Sequence, residues 1–248
     1  MEYYSIAARL YDDWGLDKIK RGLTSLAIQL LQRHEVDGNH ILEHDCRTGT
    51  ASIELSKLGY TVTGVDPSPD MLKIARNKAR EHQSKARFVQ SEIANFKSRT
   101  EFDAAVGLFE TANFVTSYED LVLSMKGISS SLIEGGVYVF DFNTIYGLRK
   151  TWSNANYHRK TGKSYSCWTG DYDPVTRMGT YNIEIFEKKN RNIYQRYSIV
   201  VKERGYSFKE LRRALRSAGF EDIHFYDCIK MKRAGRWSIR AMVFCRKR

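Results

Sequence analysis

No stretch of this chain approaches the run of about 18 apolar residues that a membrane span needs. The opening MEYYSIAARLYDDW places Asp12 and Asp13 where a secretion signal would have a basic start and an apolar segment, so a cytoplasmic location with no membrane attachment is expected. Cys46, Cys167, Cys228 and Cys245 are far apart and form no CxxC pair. That argues against a zinc site or a disulfide framework, so reduced, mostly buried thiols and no metal are expected. Internal repeats and low-complexity tracts are missing as well.

What is present is a chain of 248 residues, 42% hydrophobic, enough to bury one sizeable core. The net charge of +11 is concentrated at one end: Phe186 to Arg248 holds 18 Lys/Arg against 6 Asp/Glu. Such asymmetry fits either an anionic partner such as RNA or a solvated basic surface, and no RNA-binding motif accompanies it.

Leu16, Ile19, Leu23, Leu26, Ala27, Leu30 and Leu31 recur at helical spacing and predict an amphipathic helix over 16–33. Strands follow at Ile41–Glu43, Thr61–Asp66, Arg87–Gln90, Phe102–Phe109 and Val137–Phe142. Helices are predicted over Thr50–Lys57, from the cap Ser68 with Pro69 at the first position, and over Tyr118–Leu132, with a turn at Glu134-Gly135-Gly136. This alternation predicts a mainly parallel sheet covered by helices on both faces. From Thr151 the period shifts to two: Ser164–Thr169, Tyr181–Glu187 and Arg196–Arg204 read as strands of a small antiparallel insertion, with turns at Asp173-Pro174 and Lys189-Asn190. A capped helix, Ser207–Ala218, and two strands, Ile223–Ile229 and Ile239–Cys245, close the chain. The predicted organisation is a first part of the core over 1–150, an insertion over 151–204 and a completing part over 205–248.

In such sheets ligands bind beyond the C-terminal strand ends where strand order reverses. Asp66 ends the second strand about 20 residues after the first loop, which suits either a carboxylate accepting hydrogen bonds from ribose hydroxyls or an acid capping the next helix. The first loop, HDCRTG, has His44, Asp45 and Arg47 in a segment where nucleotide-binding loops are glycine-rich. Trp152, Tyr157, Tyr165, Trp168, Tyr172 and Tyr181 fit an aromatic substrate pocket or ordinary packing. His158 fits a base or an exposed loop residue.

ILEHDCRTG, VTGVDPSPDMLKIAR, SEIANF, FDAAVGLFETANFV, SSSLIEGGVYVFDFN and YSFKELRRALRSAGFEDI together resemble the class I S-adenosylmethionine-dependent methyltransferases of small-molecule type. The resemblance runs from about Tyr3 to Lys247 and is weaker in the insertion. It implies a Rossmann-like seven-stranded sheet, mostly parallel with the last strand antiparallel, carrying a small antiparallel β lid. It also implies S-adenosylmethionine as cofactor and S-adenosylhomocysteine as product. In that picture Glu43, Asp45, Arg47 and Gly49 stand in the first motif, Asp66 on the ribose, and Met71 and Glu92 at the adenine. Phe109 ends the fourth strand, and Tyr3 and Tyr11 close over the donor. Glu110 and Asn113 face the transferring methyl group, and Glu110, with Tyr11 and His158, supplies candidate acid–base groups.

The family's first motif carries glycines where this chain has Asp45 and Arg47, so two arrangements are open. Either Arg47 pairs with the donor's carboxylate or turns to solvent, or Asp45 and Arg47 fill the pocket. The first implies methyl transfer to a nitrogen or oxygen of a small molecule, aromatic or amine-bearing, by a monomer or homodimer. The second implies an inactive methyltransferase-like partner subunit. An RNA methyltransferase using the basic C-terminal quarter is a third reading.

Overall fold

The strands and helices alternate as their hydrophobic periods require. The computed structural model describes residues 2–98, 100–162, 164–191 and 193–248, without the side chains of residues 2–4. It contains α1 (Glu2–Tyr11), α2 (Leu16–Arg33), β1 (His40–His44), α3 (Thr50–Lys57), β2 (Thr61–Asp66), α4 (Pro69–Glu81), β3 (Arg87–Gln90) and a 3-10 turn (Ile93–Asn95). Then come β4 (Phe102–Gly107), α5 (Thr111–Phe114), α6 (Tyr118–Ser131), β5 (Leu132–Asn143) and α7 (Ile145–Trp152). A second sheet follows, β6 (Asn156–Lys160), β7 (Ser164–Asp173), β8 (Met178–Asn190) and β9 (Ile193–Arg204), and the chain ends with α8 (Phe208–Ser217), β10 (Phe220–Asp227) and β11 (Arg240–Lys247).

The main sheet has the order β10-β11-β5-β4-β1-β2-β3. β1 to β5 pair in parallel, and β11 is antiparallel to both neighbours. Alternate residues of one strand serve opposite layers: Leu42 and Ala105 face α6 and α8, whereas Ile41, Ala104 and Val106 face α2. The stripe Leu23, Ala27, Leu30 and Leu31 buries α2 against this second face, each leucine contributing roughly 1.5–3 kcal/mol. Strand order reverses between β1 and β4, so the loops leaving their C-terminal ends diverge and open the crevice of an open α/β sheet.

The predicted caps form. Ser68 accepts from the Met71 amide ahead of Pro69, and Ser207 and Glu210 make a reciprocal capping box. The predicted turn at Glu134-Gly135-Gly136 lies inside β5. Phe102 pairs with Leu132 but Ala104 with Val137, so the extra residues loop out as a bulge, with Gly135 at φ 75°. β4 stops at Gly107, because Phe109 and Glu110 adopt positive φ that a strand cannot continue. β8 runs through Lys189-Asn190, and β6, α1, α5 and α7 are elements that the periodicity did not resolve.

The four-stranded sheet, ordered β6-β7-β8-β9, is antiparallel throughout. Its inner face packs Trp168, Ile183, Ile185 and Ile199 on Ile6, Leu10 and Trp14, with the Trp14 and Trp168 rings edge to face at 5.1 Å. Tyr157 stacks on Trp168 in the same layer. These two aromatics pack the insertion onto the N-terminal segment. His158 and Tyr165 lie on the opposite, exposed face and stack on each other, so His158 is removed from the crevice. Among the described residues no helix is long and apolar enough to cross a membrane.

Candidate functional site

The loop between β1 and α3 sits at the switch point, and its backbone is built for glycine. Asp45, Arg47 and Gly49 have φ of 49°, 54° and 76°. Only glycine adopts this region without cost, and a residue with a Cβ is strained there by about 1–3 kcal/mol. At Gly49 a side chain is doubly excluded, since a Cβ would collide with Ala75 and Phe88. The course is stabilised by hydrogen bonds from the Cys46 amide to the Val65 carbonyl (3.0 Å) and from the Arg47 amide to Asp66 Oδ2 (2.8 Å).

Lys20 supports the loop from beneath. Fully buried, its ammonium donates to the carbonyls of Asp45 (2.9 Å) and Cys46 (3.2 Å) and pairs with Glu43 at 2.7 Å. Burial alone would lower the Lys20 pKa, but Glu43 more than reverses this and holds it above the ordinary value. The other Glu43 oxygen accepts from Ser52. Glu43 is therefore a structural ion pair packed against α2 and does not face the crevice. Lys20 went unrecognised in the sequence, although it lies on the buried stripe of its helix, four residues after Leu16 and three before Leu23.

Asp45 and Arg47 do not pair with each other. Asp45 Oδ2 turns to His44 Nδ1 at 2.8 Å, and His44 Nε2 meets the Tyr138 hydroxyl at 2.7 Å on the buried α6 side of the sheet. His44 fits there because residue 107 is glycine, where a Cβ would strike the imidazole. Arg47 points the other way, into the crevice. Its guanidinium donates to the Tyr11 hydroxyl (2.9 Å) and the Phe109 carbonyl (3.0 Å). It also lies 5.6, 5.0 and 4.9 Å from the ring centroids of Tyr11, Phe109 and Phe114. Three aromatic faces and a carbonyl form a cation-binding shell, and the protein's own arginine occupies it.

Asp66 closes the other side. It is 4% exposed, and its two oxygens accept from the Arg47 and Ser68 amides. Burial, followed by the nearby Asp45 charge, pushes its pKa up to about 6. Met71 is buried below it on α4, and Glu92 is exposed at the start of the 3-10 turn. Tyr11 is buried, and the side chain of Tyr3 lies outside the described residues.

Beyond β4, Phe109 and Glu110 have φ of 76° and 66°, and their amides donate to Asp141. Glu110 does not present a free carboxylate: Arg240 bridges it to Asp141, with 2.8 Å to the latter. An acid neutralised in this way is a poor base. Asn113 does not reach into the crevice. Its amide donates to the carbonyls of Asn143 and Arg204 and accepts from the Asn143 amide, fastening the end of β9 to the end of β5. Asn143 in turn donates to Glu203 (2.9 Å), a buried carboxyl on β9 that sequence reasoning missed.

Residues 41–136, from β1 into the bulge of β5, match the family model of a methyltransferase domain. That segment is what the chain shares with the S-adenosylmethionine-dependent methyltransferases. It is 23% identical over 192 residues to a putative methyltransferase of Geobacillus sp. (strain WCH70), covering 77% of this chain and 78% of that one. The chain is also similar in fold to an S-adenosylmethionine-dependent methyltransferase from Clostridium acetobutylicum ATCC 824, with a TM-score of 0.81, 22% identity and 92% of each chain covered. The sugar N-methyltransferase KedS8 from Streptoalloteichus sp. ATCC 53650 superposes with a TM-score of 0.72 at 16% identity, covering 91% of this chain and 86% of KedS8.

Proposed function

We propose that this methyltransferase moves a methyl group to a nitrogen or oxygen of a small molecule, and that Arg47 closes its donor site when no donor is bound. The reading rests chiefly on the Arg47 guanidinium, which stands in for the cation of the donor: Tyr11, Phe109, Phe114 and the Phe109 carbonyl form a shell that accepts a positive group. Asp66, at the end of β2, would hold the ribose with the acceptor capacity its two amide bonds leave free. When bound, S-adenosylmethionine supplies a methyl group activated by its sulfonium. The protein's part is then alignment and exclusion of water, for which Tyr11 from α1 and the wall of the four-stranded sheet are suited. The sugar N-methyltransferase among the fold neighbours supports a small-molecule acceptor.

The same closure favours a second reading, a methyltransferase-like binding module that takes no donor. Calorimetric titration with S-adenosylhomocysteine separates the two. Saturable binding to the unmodified protein, together with label transfer from methyl-tritiated donor to small amines or alcohols, supports the enzyme. Binding that appears only after Arg47 is removed supports the module.

A further inference from the structure

The acids at the C-terminal end of the sheet fall into two groups. Glu43 is paired with Lys20, Asp45 with His44, and Glu110 and Asp141 with Arg240; Asp66 is held by two backbone amides. Glu203 differs from all of these. It is 1% exposed, and among the described residues it has no ion-pair partner and one hydrogen bond, from the Asn143 amide to Oε2. Its other oxygen, Oε1, accepts no hydrogen bond among the described residues and is open to a further donor.

Its position follows from β-strand alternation. Ile199, Val201 and Glu203 point to the inner face of the four-stranded sheet, in register with Ile183, Tyr181 and Gly179 on β8. Glu203 is thus an acid in an apolar stripe, at the end nearest the crevice. Asn143 from β5 donates to it, and the charges that act on it are those of Arg47 from the β1–α3 loop and Asp141 from β5, with Tyr181 of β8 also within electrostatic reach. Trp152 packs over Gly179, the residue paired with Glu203, and lies against Tyr181 with ring centroids 4.2 Å apart at a tilt of 46°.

We infer that Glu203 is the anchor for a protonated amine, so that the acceptor of this methyltransferase is a cationic amine bound between the inserted sheet and the end of β5. An ammonium hydrogen would supply the donor that Oε1 lacks, and the neighbouring aromatic faces suit a cation. Burial pushes the carboxyl up to about 8, against the opposing Asn143 bond and the Arg47 charge. It is therefore able to accept a proton near neutral pH. The ammonium gives one N–H proton to the Glu203 carboxylate, and the freed nitrogen lone pair forms the new bond to the methyl carbon. The C–S electron pair stays on the sulfur, and the proton on Glu203 leaves to solvent on product release.

This rests on the proposed methyl transfer, so the experiment reads the amine site separately from the donor. Glutamate carboxyl ¹³C resonances are titrated with pH in the full chain, alone, with benzylamine and with benzyl alcohol, and Glu203 is assigned by its loss in Glu203→Gln. The expected result is a midpoint near 8 that falls by at least one unit with benzylamine and not with benzyl alcohol. Benzylamine should also bind Glu203→Gln at least tenfold more weakly, while S-adenosylhomocysteine binds both proteins within a few fold. An equal midpoint with amine and alcohol, or undiminished amine binding to Glu203→Gln, overturns the inference. If neither protein binds S-adenosylhomocysteine but the amine-dependent shift is present, methyl transfer fails and the amine site stands.

Discussion

Replacing Arg47 by glycine tests the closure directly. The side chain makes two hydrogen bonds from a charged donor, each worth about 1.5–3 kcal/mol when fully buried. Arg47 is only partly buried, and water recovers much of that energy once the guanidinium is expelled. Clearing the crevice then costs about 2 kcal/mol, a factor of roughly 30 in affinity. Arg47→Gly should therefore bind S-adenosylhomocysteine about 30-fold more tightly than the unmodified protein. The loop should not need rebuilding, because φ at residue 47 is already in the glycine region and the substitution relieves about 1 kcal/mol of strain. Adding Asp45→Gly should bring little more, since Asp45 is turned toward His44. Isothermal titration calorimetry on the two single variants and the double variant measures this. Equal or weaker binding by Arg47→Gly would refute the argument and make Arg47 a ligand for the donor's carboxylate.

Asp66→Ala leaves the Arg47 and Ser68 amides without their acceptor, so S-adenosylhomocysteine affinity should fall at least tenfold and urea unfolding should show a loss of about 1–3 kcal/mol. Lys20→Met should cost about 3–5 kcal/mol by the same assay, because it strands a buried Glu43 carboxylate, and Lys20→Met with Glu43→Gln should recover much of it. Glu203 has a folded pKa of about 8, above its unfolded value of 4.5, so the folded state binds more protons between these values. Its contribution to stability is full below pH 4.5 and declines as pH rises through 8. The melting temperature of the unmodified protein should thus fall relative to Glu203→Gln across that window, and parallel curves would remove Glu203 from the balance.

Local chemistry made the core readable: helical spacing marked α2, Ser68-Pro69 and Ser207 with Glu210 marked two helix starts, and Asp66 marked the end of β2. The bulge in β5 was visible only as a turn, because the pairing of Ala104 with Val137 depends on the neighbouring strand. Charge partners were harder still. Glu43, Glu110 and Asn113 looked available because Lys20, Arg240 and Asn143 lie 23, 130 and 30 residues away. Glu203 did leave a trace: an acid following Ile199 and Val201 at period two points inward with them.

The dihedrals at residues 45 and 47 separate the course of the loop from the side chains it carries. A loop shaped by its aspartate and arginine would lie in the region open to all residues, and glycine there would gain nothing. Here the main chain follows a path open to glycine although residues 45 and 47 are Asp and Arg. Glycine at either position would need no change of backbone, so the closed state is separable from the fold by a single substitution at residue 47.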